Sequence, residues 1–531
     1  MESQSNKSYN ISHKYGTINL EYNIQKFTMT SVWPILISVS QYTHQKTKDE
    51  RLDPLKLMIK SAKEALNTPN ASKLKELIDA VYMVNINSWS YKDAPGELSE
   101  ILGINPTEKT YLSDGGNTPQ MLVNRAAKII HKGVRKCILI VGGEASYSVY
   151  QSKKEKRDLS WPKKEEPDYM EGEIWHGTNE FENTYKLIIP PYSYALFETA
   201  YRETVGLSLQ EHRMKMGKLF ENFSEVAANN PYAWTQKSYS TEEIITPSPN
   251  NRKVCYPYTK RMCSNMFVDQ SAAVLISSED VAKKLEIPKS RWVYLRGASD
   301  FQNIFDITRR PKLATSPAAR IGSKVALKQA GLVLDEIDLF DIYSCFPSIV
   351  EIISDEIGIK KDDTRDLTIT GGLPFFGGPW SNYSLHAIAT AVNIIQKDPE
   401  KTIMVISNGG YNTKQSFGIY GTIPPQKGFD ENDTKELQSR ILEKVLQEPV
   451  KKANGICKIL GYTLIYNRNG TRKYGIALGA MENKRHTLAI LKGTDEELAQ
   501  LERNEIVGST YRVYYDEKSQ KNIIKLTENY N

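Results

Sequence analysis

Two glycine pairs, each followed by a long helical pattern, are the positions in this chain where chemistry is most readily built. The first lies in "YLSDGGNTPQMLVNRAAKII", where Gly115 and Gly116 precede Asn117, Pro119 and an apolar repeat of helical period. The second lies in "GGPWSNYSLHAIATAVNII", where Gly377 and Gly378 precede Asn382 and His386. A helix that opens on glycine gathers free amide N–H groups at the positive end of its dipole, and a ligand can approach that bare backbone closely. Such an end suits an anion or the oxygen of a polarised carbonyl. The first bend carries no cysteine, serine–histidine pair or acidic dyad.

Other side chains extend the candidate site. Asn117 offers a side-chain donor, or simply a cap for its helix. Cys345, in "FDIYSCFPS", ends an apolar run just before another helical pattern. A helix N-terminus lowers a thiol's pKa, whereas a small buried packing residue is the plainer role of a free cysteine. Tyr343, two residues earlier, is an oxyanion donor or a buried hydroxyl bonded to backbone. Asn382 and His386 stand four apart and share one helical face, where a lone histidine is more often structural than functional. His131 and His176 carry no usable signal. Arg252, Lys253, Lys260 and Arg261 cluster among tyrosines in "NNRKVCYPYTKR". That stretch is an adenine-and-phosphate surface, or a solvated charged loop.

These residues need elements to place them. "PILISVSQY", "AVYMVNI" and "KCILIVGGEA" read as buried strands, interleaved with "DPLKLMIKSAKEAL", capped by Asp53, and "APGELSEILG" as helices. Such alternation argues an α/β layered sheet. Residues 146–260 break the rhythm with charge runs, prolines and aromatic patches, as a long inserted lid or binding region would. The alternation resumes at "DQSAAVLISS" and runs through "RWVYLRGAS", "DLTITGGLPFFGG" and "KTIMVISNGG" to "SFGIYGTI". Stretches 115–145 and 377–410 share one plan of glycine pair, helix, charged turn, apolar strand and second glycine pair. Two copies of one unit predict a duplicated fold with a site between the halves. A last segment alternates apolar and polar residues with Asn-Gly turns, which predicts a small β-barrel of the oligonucleotide/oligosaccharide-binding (OB) type.

Bulk properties set outer limits. The 531 residues are enough for two to four structural units. Lys/Arg and Asp/Glu nearly balance at 69 and 63, so composition does not suggest nucleic acid. Tyr511, Tyr514 and Tyr515 leave a faint single-strand reading for the barrel, and no nucleic-acid partner is expected. No apolar run approaches a membrane span. Five cysteines without metal spacing suit a reducing, cytoplasmic setting, an organellar matrix being compatible, and no metal site is expected.

"GGNTPQMLVNRAA", "FDIYSCFPS" and "TITGGLPFFGGPWSNYSLHAIA", in that order with the β-rich tail, resemble the thiolase superfamily, closest to thiolase-like proteins of type 1. The resemblance runs from about Thr30 to Leu526. It implies a five-layered, duplicated α/β/α thiolase fold with an inserted loop region, plus the C-terminal β-domain. The implied organisation is a polar extension (1–29), a first half (30–285), a second half (286–428) and a barrel (445–531). The family's nucleophilic cysteine falls on Gly116, its histidine base on Gly378, its second cysteine on Ser407 and its oxyanion-binding Asn or His on Tyr343. Cys345 keeps a family cysteine. The resemblance implies a coenzyme A thioester as substrate or ligand, with no bound cofactor. It implies an acetyl-CoA acetyltransferase-like enzyme with altered chemistry, or an inactive thioester-binding scaffold that pairs with an active acyltransferase. Cys345 and Tyr343 are the expected catalytic pair, with Gly116, Asn117 and Gly378 as oxyanion donors. Asn382, Arg252, Lys253 and Lys260 are the expected substrate contacts, and a homodimer is one expected assembly.

Overall fold

The computed structural model describes residues 32–46, 50–67, 71–173, 177–429, 434–467 and 469–529. The polar extension 1–29 and His176 therefore lie outside the described residues. The strands are β1 (Pro34–Thr43), β2 (Ile78–Met83), β3 (Glu108–Tyr111), β4 (Cys137–Ala145), β5 (Lys253–Cys255), β6 (Tyr258–Thr259), β7 (Asp269–Ser278) and β8 (Val293–Gln302). They continue with β9 (Leu339–Ile342), β10 (Ile403–Gly409), β11 (Lys414–Gly421), β12 (Gly455–Tyr466), β13 (Arg472–Met481), β14 (His486–Lys492), β15 (Thr510–Asp516) and β16 (Lys521–Asn529).

Period-two alternation builds the layers. In β4, Leu139 and Val141 face one apolar core while Ile138 and Ile140 face another, and β7 divides in the same way. The first core is covered by helix Pro54–Leu66, whose Asp53 caps it by accepting from the Lys56 amide at 3.1 Å. The second core is filled by the helices Thr118–His131 and Tyr383–Lys397. On its far side lie Ile403 and Val405 of β10, whose Met404 and Ile406 face a third core under helices Pro317–Ala330 and Pro347–Ile357. Helix, sheet, paired central helices, sheet, helix: these are five layers. The sheet order is β3-β2-β4-β7-β1-β8-β11-β10-β9, and within it the two halves join where Ile35 and Leu36 of β1 pair with Tyr294 and Val293 of β8.

"DLTITGG" does not continue the strand rhythm. The Asp341 carboxylate accepts from the amides of Ile369 and Thr370 at 3.1 and 3.2 Å, so that backbone is spent on a side chain instead of a ladder. The insertion contributes helices Pro190–Val205 and Leu209–Ala228, and its β5 and β6 join the barrel sheet. The barrel closes in the order β12-β13-β14-β16-β15-β12, with β14 and β16 parallel and a short helix, Asp495–Gln500, before β15. That is OB topology.

Candidate functional site

Both glycine bends open on one cavity of about 450 Å³. Gly115, Gly116 and Gly378 line it, together with Tyr343 and Cys345 from the end of β9 and Asn408 from β10. Gly377 sits at φ +117°, a conformation that glycine tolerates and that a side chain would strain. Apolar groups from the insertion (Ile188, Pro190), the first half just beyond it (Met266) and the second half (Phe305, Phe346 and Leu373) form much of the wall. Lys414, at the start of β11, brings a cation to the Gly115 end, and its pKa is lowered by burial.

Tyr343 occupies the central position. A Cβ placed on Gly116 would lie 2.5 Å from the Tyr343 hydroxyl and closer still to the Asn408 carbonyl oxygen. The phenol therefore fills the volume that a side chain at position 116 would take. Burial raises its pKa, with Cys345 adding to the shift, so the hydroxyl keeps its proton. Tyr343 packs edge-on against Tyr383, and its amide donates to Ile406 O at 2.9 Å.

Several expected roles do not survive the geometry. Cys345 lines the cavity, yet burial pushes its thiol up to about 12, partly offset by the Tyr194 hydroxyl. Desolvation outweighs the helix dipole, so the expected lowering is reversed. The Gly378 amide is already donated to Asn265 O at 2.9 Å and is lost as an oxyanion donor. Asn117 neither caps its helix nor faces the cavity; its Nδ2 donates to Ser416 Oγ at 3.2 Å. Asn382 is fully buried, donating to Gly142 O at 2.9 Å. His386 is fully buried too, with Nδ1 donating to Gln41 Oε1 at 2.9 Å, and burial pushes its pKa down to about 3. Ser407 points away from the cavity into the core; its neighbour Asn408 is the one that lines it.

The basic cluster is also elsewhere. Pairing of Cys255 in β5 with Ile465 in β12 draws residues 252–261 onto the barrel. There Lys253 is held 2.6 Å from Glu502, and Arg252 donates to the Lys253 carbonyl. Neither these two nor Lys260 lines the cavity, because strand pairing with a distant segment decided where they went. Gly116, Tyr343, Cys345 and Gly378 are brought together; Tyr194, Asn408 and Lys414 join them without any sequence signal that marked them.

No protein-family profile matches the chain. A solved structure, a monomeric SCP2-thiolase like protein type 1 from Mycobacterium smegmatis, is 31% identical, covers 92% of this chain and 98% of its own, and superposes with a TM-score of 0.79. The chain belongs to the SCP2-thiolase-like type 1 family. More remote relatives of this SCP2-thiolase-like chain include the acetyl-CoA acetyltransferase of Methanocaldococcus jannaschii, 21% identical over 287 residues. That match covers 54% of this chain and 66% of the relative. Rabbit (Oryctolagus cuniculus) sterol carrier protein 2 is 21% identical over 212 residues, 38% of each chain. The match thus spans about two-thirds of the first curated relative and under two-fifths of the second. The thiolase superfamily, the layered fold and the C-terminal β-domain expected from the sequence all stand in this SCP2-thiolase-like chain. Among the described residues no helix is long and apolar enough to cross a membrane.

Proposed function

We propose that this chain binds a coenzyme A thioester with the acyl group in the cavity, and handles it without taking the acyl group onto a cysteine. The observation that carries this reading is the Tyr343 hydroxyl standing in the volume a side chain at 116 would need. In the thiolase pattern that position carries the nucleophile and position 378 the base; both are glycine here. A phenol kept protonated by burial donates a hydrogen bond and does not attack, so Tyr343 is the donor to a thioester oxygen as negative charge develops on it. The Gly116 amide, which has no partner within the described residues, supports a second donor at the same oxygen. Lys414 adds positive charge at that end, and the apolar wall suits an acyl chain. Cys345, a protonated thiol, packs beside them. The chain is on this reading an acyltransferase or related acyl-CoA enzyme that leaves no acyl-enzyme. The five free cysteines accord with a reducing, cytoplasmic setting.

A second reading, a thioester-binding scaffold beside an active acyltransferase, is favoured by glycine at both 116 and 378. Calorimetric titration with acetyl-CoA and longer acyl-CoAs, run alongside acyl-transfer and thiolysis assays, separates the two. The expected result is acyl-CoA binding, turnover without an acyl-protein adduct by mass spectrometry, and a fall of ~10²–10³-fold in kcat for Tyr343→Phe with little change in Kd. Binding with no turnover selects the scaffold; absence of both removes both. Light scattering checks for a homodimer, against a Mycobacterium smegmatis relative described as monomeric.

A further inference from the structure

Behind the cavity wall three helices converge on a group of side chains that the reading above does not use. Glu198 comes from helix Pro190–Val205, His212 from Leu209–Ala228 and Glu351 from Pro347–Ile357, and all three are buried. His212 Nε2 lies 3.1 Å from Glu198 Oε1 and 3.2 Å from Glu351 Oε2. Among the described residues this is where three potential metal-ligand atoms meet within 4.8 Å of one another.

The geometry points to a site for one divalent transition-metal ion, of the zinc or manganese class, held by Glu198 Oε1, His212 Nε2 and Glu351 Oε2. Three features argue for it. First, a single imidazole N–H cannot aim at two carboxylate oxygens at once, and Glu198 Oε1 is left fully buried with no hydrogen-bond donor among the described residues. An ion at the centre satisfies that oxygen, the Glu351 oxygen and the nitrogen lone pair together. Second, both nitrogen–oxygen spacings, 3.1 and 3.2 Å, fit. Ligands each ~2.0–2.2 Å from one ion stand about 3.0–3.5 Å apart in octahedral or tetrahedral arrangements. Third, the remaining oxygen of each carboxylate is held from outside. Tyr258 donates to Glu198 Oε2 at 2.7 Å, and Lys215 Nζ stands 3.1 Å from Glu351 Oε1. An outer hydrogen bond at Glu198 and an outer ion pair at Glu351 both orient carboxylates for a metal. Two carboxylates also neutralise a dication, which removes the penalty of burying either charge alone.

The position suggests what the ion does. Tyr194, one turn before Glu198, stacks on Phe346 with ring centres 4.6 Å apart, and both line the cavity. Glu351 sits on the helix that begins directly after Phe346. An ion here pins the insertion's cavity wall to the second half. The site does not depend on what the cavity binds.

The test uses the full chain, stripped with chelator and then titrated with Zn²⁺ and, separately, Mn²⁺. One ion per chain by elemental analysis is expected, with a thermal midpoint that rises with ion concentration. Glu198→Gln and His212→Gln should each weaken affinity by at least the ~10–100-fold that even outer partners are worth. X-ray absorption on the wild-type protein should report nitrogen and oxygen neighbours with no sulfur, a readout that stands even if the variants fold poorly. No binding by folded, stripped wild-type protein overturns the assignment. So does sulfur in the coordination shell, or binding unchanged in both variants.

Discussion

Gly116 and Tyr343 are two halves of one decision about space. The Asn408 carbonyl belongs to β10 and cannot swing aside, so a side chain at 116 is refused by backbone as well as by the phenol. Restoring the nucleophile by Gly116→Cys is therefore expected to give no thiolysis and no acyl adduct. It should also lower stability by ~1–3 kcal/mol in urea unfolding, the usual range for overpacking a filled site. A Gly116→Cys protein with wild-type stability and a cysteinyl-acyl species on incubation with acetyl-CoA would sink the spatial argument. This pairing was half legible. A family pattern shows that the nucleophile's place holds glycine, but nothing in "FDIYSCF" says where the Tyr343 hydroxyl will end.

At the scale of the element, the central helix Tyr383–Lys397 explains why His386 takes the structural role, the commoner one for a lone helical histidine, and not a place in the site. Helical periodicity marks one apolar face, as on a surface helix, yet this helix lies between two sheets and is buried nearly all round. His386 is consequently dry, its Nδ1 bonded to Gln41 and its Nε2 without a partner among the described residues. A histidine whose folded pKa is depressed, from 6.5 to about 3, binds its proton more readily in the unfolded chain. The sign follows: stability is unaffected above pH 6.5 and is lost as pH falls from there towards about 3. The slope approaches ~1.4 kcal/mol per pH unit for one proton. His386→Asn, which keeps a donor near Nδ1, should flatten the acid limb of a stability–pH curve by about that slope; an unchanged limb would show that this imidazole is not held neutral. Helix Pro54–Leu66 is the contrast. Its cap Asp53, its apolar face and its extent were all readable, because each depends only on neighbours within a few residues.

For the whole molecule the notable feature is how the barrel is fastened. The Thr199 hydroxyl donates to Tyr462 O at 3.0 Å and accepts from the Tyr462 amide at 2.9 Å. Arg202 pairs with Glu505, and the Asn522 amide donates to the Tyr185 hydroxyl at 2.7 Å. Gly461 permits this approach, since a Cβ there would stand 2.6 Å from Leu196 O. Gly461→Val should loosen the barrel from the insertion helices at a cost of ~1–3 kcal/mol. Limited proteolysis would then release a C-terminal fragment that the wild-type protein retains; identical digestion patterns would count against tight docking.

What the amino-acid order determined alone is whatever rests on near neighbours and repeated pattern. The alternating strands, the capped helices, the glycine-opened helix pair, the barrel's hairpins and the family all belong here, since period and turn chemistry act over a handful of residues. Tertiary structure decided how the remaining groups were spent. It drew Arg252 and Lys253 onto the barrel through β5 and committed the Gly378 amide to Asn265. It desolvated Cys345 so that its thiol keeps its proton, and assembled Glu198, His212 and Glu351 from three helices. Those outcomes depend on contacts between segments far apart along the chain, where local periodicity carries no information.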